Sequence, residues 1–218
     1  MDEMNQLIHT ISLSMGAAWA SGINLYATLL TLGLLGATGN MTLPPDLQIL
    51  TNPLVIGAAG LMYVVEFVAD KMPGVDTGWD SIHTFIRIPA GAMLAAGSLG
   101  EVNSAVTVTA AILGGTLAAG SHATKAGSRV LINTSPEPFS NWLASLVEDV
   151  AVIAGVWAAL AHPYVFLVVL LILIVLMIWV LPKLWTAIKK VFTVLGRLFT
   201  GNKGTPPPTI DSQPSPRP

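Results

Sequence analysis

The stretch that decides the fold runs from Glu66 to Arg87, EFVADKMPGVDTGWDSIHTFIR. Long apolar segments flank it, yet it carries Glu66, Asp70, Lys71, Asp76, Asp80, His83 and Arg87. Glu66 and Asp70 are four residues apart, as are His83 and Arg87, so each pair shares one face of a helix. Met72-Pro73-Gly74 should end the first helix, because proline lacks the amide donor and glycine admits the turn. Two hydrophobic helices therefore bring charged ends toward or into a membrane. An ionisable side chain at the bilayer centre costs roughly 2.5 to 3.5 kcal/mol on insertion scales, so such residues mark a site.

The rest of the chain agrees with this reading. Of its 218 residues, 53% are hydrophobic and only 10% charged, and the mean hydropathy is +0.69. Soluble domains carry about 25% charged residues. The absence of cysteine excludes disulfides, thiolate metal sites and cysteine nucleophiles. The N-terminal MDEMNQLIHT is acidic and lacks the basic region of a cleaved signal peptide, so the first apolar segment is expected to remain in the protein.

About 20 apolar residues cross the hydrocarbon core. Apolar segments cover residues 10–36, 54–69, 82–99, 105–122, 142–161 and 164–181. The expected fold is an all-α membrane protein of about six transmembrane helices over residues 1–182, with broken or re-entrant polar segments. Residues 183–200 form an amphipathic pattern expected to lie at the interface and meet anionic lipid, a simple extension of the last span being the alternative. Residues 201–218 are a proline-rich tail expected to be disordered. Loops one, three and five lack Lys and Arg, whereas loops two and four and the tail carry them. With six spans, that places both termini in the cytoplasm, in a multi-pass protein of the inner membrane.

Small residues recur at helical spacing in spans three and four, as in Gly91/Ala95 and Ala110/Gly114, so these helices should pack closely inside the bundle, with span six facing lipid. Ala20-Ser21-Gly22-Ile23-Asn24 and Val65-Glu66-Phe67-Val68-Ala69 find weak counterparts, in the same order, in Ala118-Ala119-Gly120-Ser121-His122 and Val147-Glu148-Asp149-Val150-Ala151. That order suggests a 3+3 inverted repeat, as in many transporters. Six spans with coincidental similarity are the alternative.

A second polar group mirrors the first. His122, Lys125 and Arg129 share one helical face, and Glu148 and Asp149 interrupt an apolar helix. Asn133, Glu137 and Asn141 belong to a polar run, NTSPEPFSN, in which Ser135 is a candidate N-cap and Pro136 or Pro138 suits a first helical turn. Asn24 lies near the middle of the first span. The plain reading of these charges is buried ion pairs that fix helix packing. The sharper reading is one binding site. Glu66 and Asp70 should meet Lys125, Arg129 or Arg87, because charges left alone in hydrocarbon are costly.

The chain lacks HExxH, GxSxG, a Walker loop and CxxC, so neither an enzyme nor a cofactor or metal site is expected. His122 with Glu148 or Asp149 could form a metal or hydrolase site only if folding brought them together. Nothing points to nucleic acid, and self-association is open.

Several motifs together resemble a known family. They are Gly22-Ile23-Asn24-Leu25-Tyr26, Glu66-Phe67-Val68-Ala69-Asp70-Lys71, Pro73-Gly74-Val75-Asp76, Trp79-Asp80, Ile82-His83-Thr84, Arg87-Ile88-Pro89-Ala90-Gly91 and Asn133 to Asn141. Across residues 10–165 the chain is similar to a bacterial membrane family known as domain of unknown function 4126. The resemblance implies an inner-membrane location and a shared site, and carries no activity with it. The expected function is a transporter or channel-like protein whose acidic groups take a cation or relay protons and whose basic groups take an anionic solute or lipid head group. The alternative is a non-transporting scaffold whose charges are structural and whose tail recruits a partner.

Overall fold

The structure, a computed structural model, describes residues 3–134 and 139–200. Among these residues it is all helical: α1 (Glu3–Ile23), α2 (Leu25–Ala37), a 3-10 helix (Pro45–Thr51), α3 (Pro53–Ala69), α4 (Val75–Gly97), α5 (Ser104–Ile132), α6 (Phe139–Ala161) and α7 (Pro163–Thr200). Helices α5, α6 and α7 are long and apolar enough to cross a membrane, and α3 joins them if taken with the 3-10 helix, which meets it at 69°.

The bundle is inside-out relative to a soluble protein. Leu61, Val64, Phe85, Met93, Leu143, Val168, Leu171 and Ile178 are exposed, while Glu66, Asp70, Asp80, Arg87, Lys125 and Arg129 are buried. Exposed aliphatic side chains on this scale are stable only where the surrounding medium is itself apolar. The chain is a membrane protein.

Small residues let α1, α4 and α5 pack closely at the centre. A Cβ on Gly91 would strike Ala118 and Ser21, and one on Gly114 would strike Ala95. Without a hydrophobic driving force between helices in lipid, such van der Waals fit holds them together. Hydroxyls supplement it, with Ser12 donating to the Ala159 carbonyl at 2.7 Å and Ser14 to that of Ala95 at 2.9 Å. Trp19 packs edge-on against Phe166, with ring centroids 6.4 Å apart, tying α7 to α1. Elsewhere α7 is largely exposed as far as Thr193, as expected for the last span.

The first apolar segment is not one crossing. At Asn24 the backbone turns extended (φ −146°, ψ 99°), and the Asn24 side chain caps α2 by accepting from the Ala27 amide at 2.9 Å. From there α2 folds back. Ser12 and Trp19 of α1 lie against Ala159 and Gly155 of α6, and Thr31 and Leu35 of α2 flank Val150 and Trp157 of the same helix. His9 and Leu13 share a cleft with Met41, Thr42 and Pro44, so both ends of the hairpin lie at one end of the bundle.

Three expectations are not confirmed. A hairpin replaces the first of six spans, because a buried asparagine supplied a local helix cap that outweighed apolar continuity. Both termini on one face is not shown: α1 starts at the end holding Ser98 and Leu160, while α7 runs toward the other, where Leu184 adjoins Gly127. The inverted repeat is not confirmed at its first element. Gly22 and Ser21 of α1 meet Ala118 and Ser121 of α5, as Ala18 meets Gly114, so the two helices run parallel where inverted halves require opposite directions.

Residues 183–200 continue α7 through Pro182 and do not begin a new helix. Lys183 lies over the Trp179 ring, 2.9 Å from its centroid. Ser135, Pro136, Glu137, Pro138 and the tail 201–218 lie outside the described residues.

Candidate functional site

The turn from α3 to α4 builds the site. Asp70 is the C-cap of α3, and Gly74, with φ +86°, provides the left-handed residue that starts α4. This carries Glu66 and Asp70 into contact with α5, although α3 packs mainly on α2. Three- and four-residue spacings on both α4 and α5 aim Asp80, His83, Arg87, His122, Lys125 and Arg129 inward, and all six are buried.

Lys125 is the hub. Its ammonium Nζ lies 2.7 Å from Asp70 Oδ2, 3.6 Å from Glu66 Oε1, 3.6 Å from Glu148 Oε2 and 3.8 Å from Asp80 Oδ1. Arg87 donates to Glu66 and, at 2.9 Å, to Asp80 Oδ1. Arg129 forks onto Glu148, with NH2 to Oε2 at 2.6 Å and Nε to Oε1 at 3.3 Å. Its NH1 donates to the Asp70 carbonyl at 3.0 Å and to the Asn141 side chain. This fork geometry needs arginine, whose planar guanidinium presents five fixed donors. The two polar groups of the sequence are thereby one network drawn from α3, α4, α5 and α6.

Histidine roles are set by the partners. His122 Nδ1 accepts from Arg87 at 3.1 Å, so Nε2 carries the proton and donates to Thr84 at 2.7 Å, whose own hydroxyl donates to the Asp80 carbonyl. His83 Nδ1 donates to the Trp79 carbonyl at 2.9 Å, leaving Nε2 to accept from Tyr26 at 3.2 Å. Its ring stacks on Trp79 at 4.2 Å. It makes no ion pair with the network.

Asn24, at the tip of the hairpin, donates to Asp149 Oδ1 at 2.9 Å. Asp76 and Asn133 form a separate pair, with the Asn133 amide on both carboxylate oxygens at 2.8 and 3.0 Å and Asp76 also accepting from the Gly74 and Thr77 amides. They tie the start of α4 to the end of α5 apart from the ion pairs. Glu137 lies outside the described residues.

Tyr26, Thr84 and Ser145 escaped the sequence reading as site residues, having no charge to mark them. Ser145 accepts from Lys71 at 3.2 Å, and Lys71 also lies over the Phe67 ring. In the turn outside the helices, partial burial pushes the Lys71 ammonium below the ordinary lysine range, opposed by the Asp149 and Asp70 carboxylates.

The pairing is incomplete. Glu66 Oε2, Asp70 Oδ1, Asp80 Oδ2 and Asp149 Oδ2 are buried without a hydrogen-bond partner, as is Arg87 Nε. Among the described residues, no three Asp, Glu or His side chains are arranged to hold a metal ion.

Residues 11–183 match the family described as Domain of unknown function (DUF4126). The chain belongs to this family. The DUF4126 match takes in every helix except the first residues of α1 and the last of α7, and so covers the whole charge network. No curated protein and no solved structure matches the chain.

Proposed function

We propose that this protein is a transporter or channel-like protein of the cytoplasmic membrane, not an enzyme, and that its buried network passes a proton or small cation. The observation that carries this reading is an excess of acid. Glu66, Asp70, Asp80 and Glu148 pair with Arg87, Lys125 and Arg129, buried Asp149 has only the Asn24 amide, and four carboxylate oxygens have no partner. Adding the half-buried Lys71 still leaves one negative charge over. A packing device would be neutral, since an unpaired buried charge costs several kcal/mol. A proton held on one carboxyl, or a cation between two, removes that cost and can be exchanged.

The hairpin supports the same reading. Broken helices whose ends meet inside the bundle line substrate sites in transporters, where irregular backbone is shielded by protein. The end bearing Lys71, Arg129 and Lys183 is the cytoplasmic one by the placement of basic residues, so residue 3 would face the other side. Lys183, Lys189 and Lys190 would meet anionic lipid there.

The test is proton flux into proteoliposomes enclosing a pH-sensitive dye. The wild-type chain should pass protons, and Glu66→Gln should reduce the rate at least about tenfold. Equal flux in both would leave the scaffold reading, in which the pairs only hold the helices.

A further inference from the structure

Asp149 stands apart from the other acids of the bundle. Glu66 and Asp80 meet Arg87, Asp70 meets Lys125 at 2.7 Å, and Glu148 meets Arg129 at 2.6 Å. Asp149 is only 3% exposed, yet among the described residues it makes no ion pair. Its one partner is the neutral Asn24 amide, which donates to Oδ1 at 2.9 Å. The direction of that bond is fixed, because Asn24 Oδ1 is already engaged by the Ala27 backbone amide. Asp149 Oδ2 is buried and bare.

A cation stands nearby and does not take it. Lys71 donates to the Phe67 carbonyl and to Ser145 Oγ, each at 3.2 Å, with its ammonium over the Phe67 ring. Ser145 lies four residues before Asp149, so the two share one face of α6. Lysine is a point charge on a flexible four-carbon stem. An ionised carboxylate one helical turn away would draw it off two neutral oxygens. The other titratable groups around Asp149 are Tyr63 and Asp70 on α3 and Lys125 on α5. Lys125 is bonded to Asp70, and the Asp70 charge itself opposes a second carboxylate.

We propose that Asp149 is the proton-binding site of the protein: its carboxyl is neutral in this fold, with the proton on Oδ2, and this is the proton that the protein exchanges. The charges then balance. Glu66, Asp70, Asp80 and Glu148 remain as four carboxylates against Arg87, Lys125, Arg129 and Lys71 as four cations. A neutral carboxyl is far cheaper to bury than a carboxylate, and the acid that holds the proton is the one without a cation. Asn24 is a positioning residue, fixing Oδ1 as the carbonyl oxygen and leaving Oδ2 for the proton. The proposal rests on the transport reading for the passage of the proton, not for its presence.

The experiment is infrared spectroscopy of the full chain in lipid at neutral pH, where a protonated carboxyl shows a carbonyl band separate from those of amides and carboxylates. The wild-type chain should show that band, and it should move when the protein is made with isotope-labelled aspartate but not with labelled glutamate. Asp149→Asn, which copies the shape of the neutral acid, should lose the band, melt close to wild type, and cut proton flux into proteoliposomes at least about tenfold. Glu66→Gln should keep the band. If Asp149→Asn does not fold, the label decides together with Asp70→Asn and Asp80→Asn, each of which should retain the band. A wild-type chain without the band, a band that survives in Asp149→Asn or follows Glu66, or flux unchanged in Asp149→Asn overturns the proposal. Glu66-dependent flux with the band elsewhere would defeat this proposal alone, and an Asp149 band without any flux would sink the transport reading alone.

Discussion

At the scale of single residues, Arg129 gives the clearest expectation. It is fully buried and serves Glu148, the Asp70 carbonyl and Asn141 at once. Removing one member of a buried pair leaves the other charge unpaired, at about 3 to 5 kcal/mol. Arg129→Met should therefore lower thermal stability in detergent sharply, and Arg129→Lys should not restore it, because an ammonium cannot make the fork. The double variant Arg129→Met/Glu148→Met should regain most of the loss, as apolar replacements of buried pairs often do. A double variant as unstable as the single one would mean that Arg129 acts mainly through the Asp70 carbonyl and Asn141. Much of this site was legible in the chain. Four-residue spacing placed Glu66 with Asp70, and the spacing of His122, Lys125 and Arg129 placed all three on one face. Thr84, Tyr26 and Ser145 were not legible, since hydroxyls are common in apolar helices and only the folded partner reveals their use.

At the scale of elements, the hairpin depends on two adjoining features. Gly22 lets α1 touch α5, because a Cβ there would strike the Ala118 carbonyl and the Ser121 hydroxyl. Gly22→Val should cost about 1 to 3 kcal/mol by overpacking, read as a lower melting temperature in detergent. Asn24 both caps α2 and donates to Asp149. Asn24→Ala should lose about 1 kcal/mol from the cap, and also leave Asp149 with neither oxygen bonded, so its melting temperature should fall further than a cap alone explains. An Asn24→Ala protein as stable as wild type would remove the cap from the account. The break itself could not be read from hydropathy. A single asparagine in an apolar run looks like a tolerated polar residue, and its role as a cap shows only once Gly22 and Asp149 are packed beside it.

At the scale of the whole molecule, the testable quantity is sidedness. The chain contains no cysteine, so single cysteines can be labelled without background. Asn5→Cys, Asn40→Cys and Asn103→Cys should react with a membrane-impermeant maleimide from one face, and Lys190→Cys from the other. Labelling of Asn5→Cys and Lys190→Cys from the same face would restore an even number of crossings. The all-helical class and the membrane setting followed from composition and segment length, which act over many residues. The crossing number did not, because an apolar segment reads the same whether it traverses the bilayer or dips and returns.

That hairpin also bears on how the protein is made. A segment with both ends on one face cannot be left in the bilayer by threading straight through it. Its tip carries Asn24, whose amide finds Asp149 only on α6, more than a hundred residues later in synthesis. Until α6 has been inserted, the tip has no polar partner from that helix and is better placed in water. The hairpin should thus be among the last parts to settle, entering a bundle already assembled by α3 to α6, and a nascent chain arrested before α6 should keep residues 20–28 open to protease.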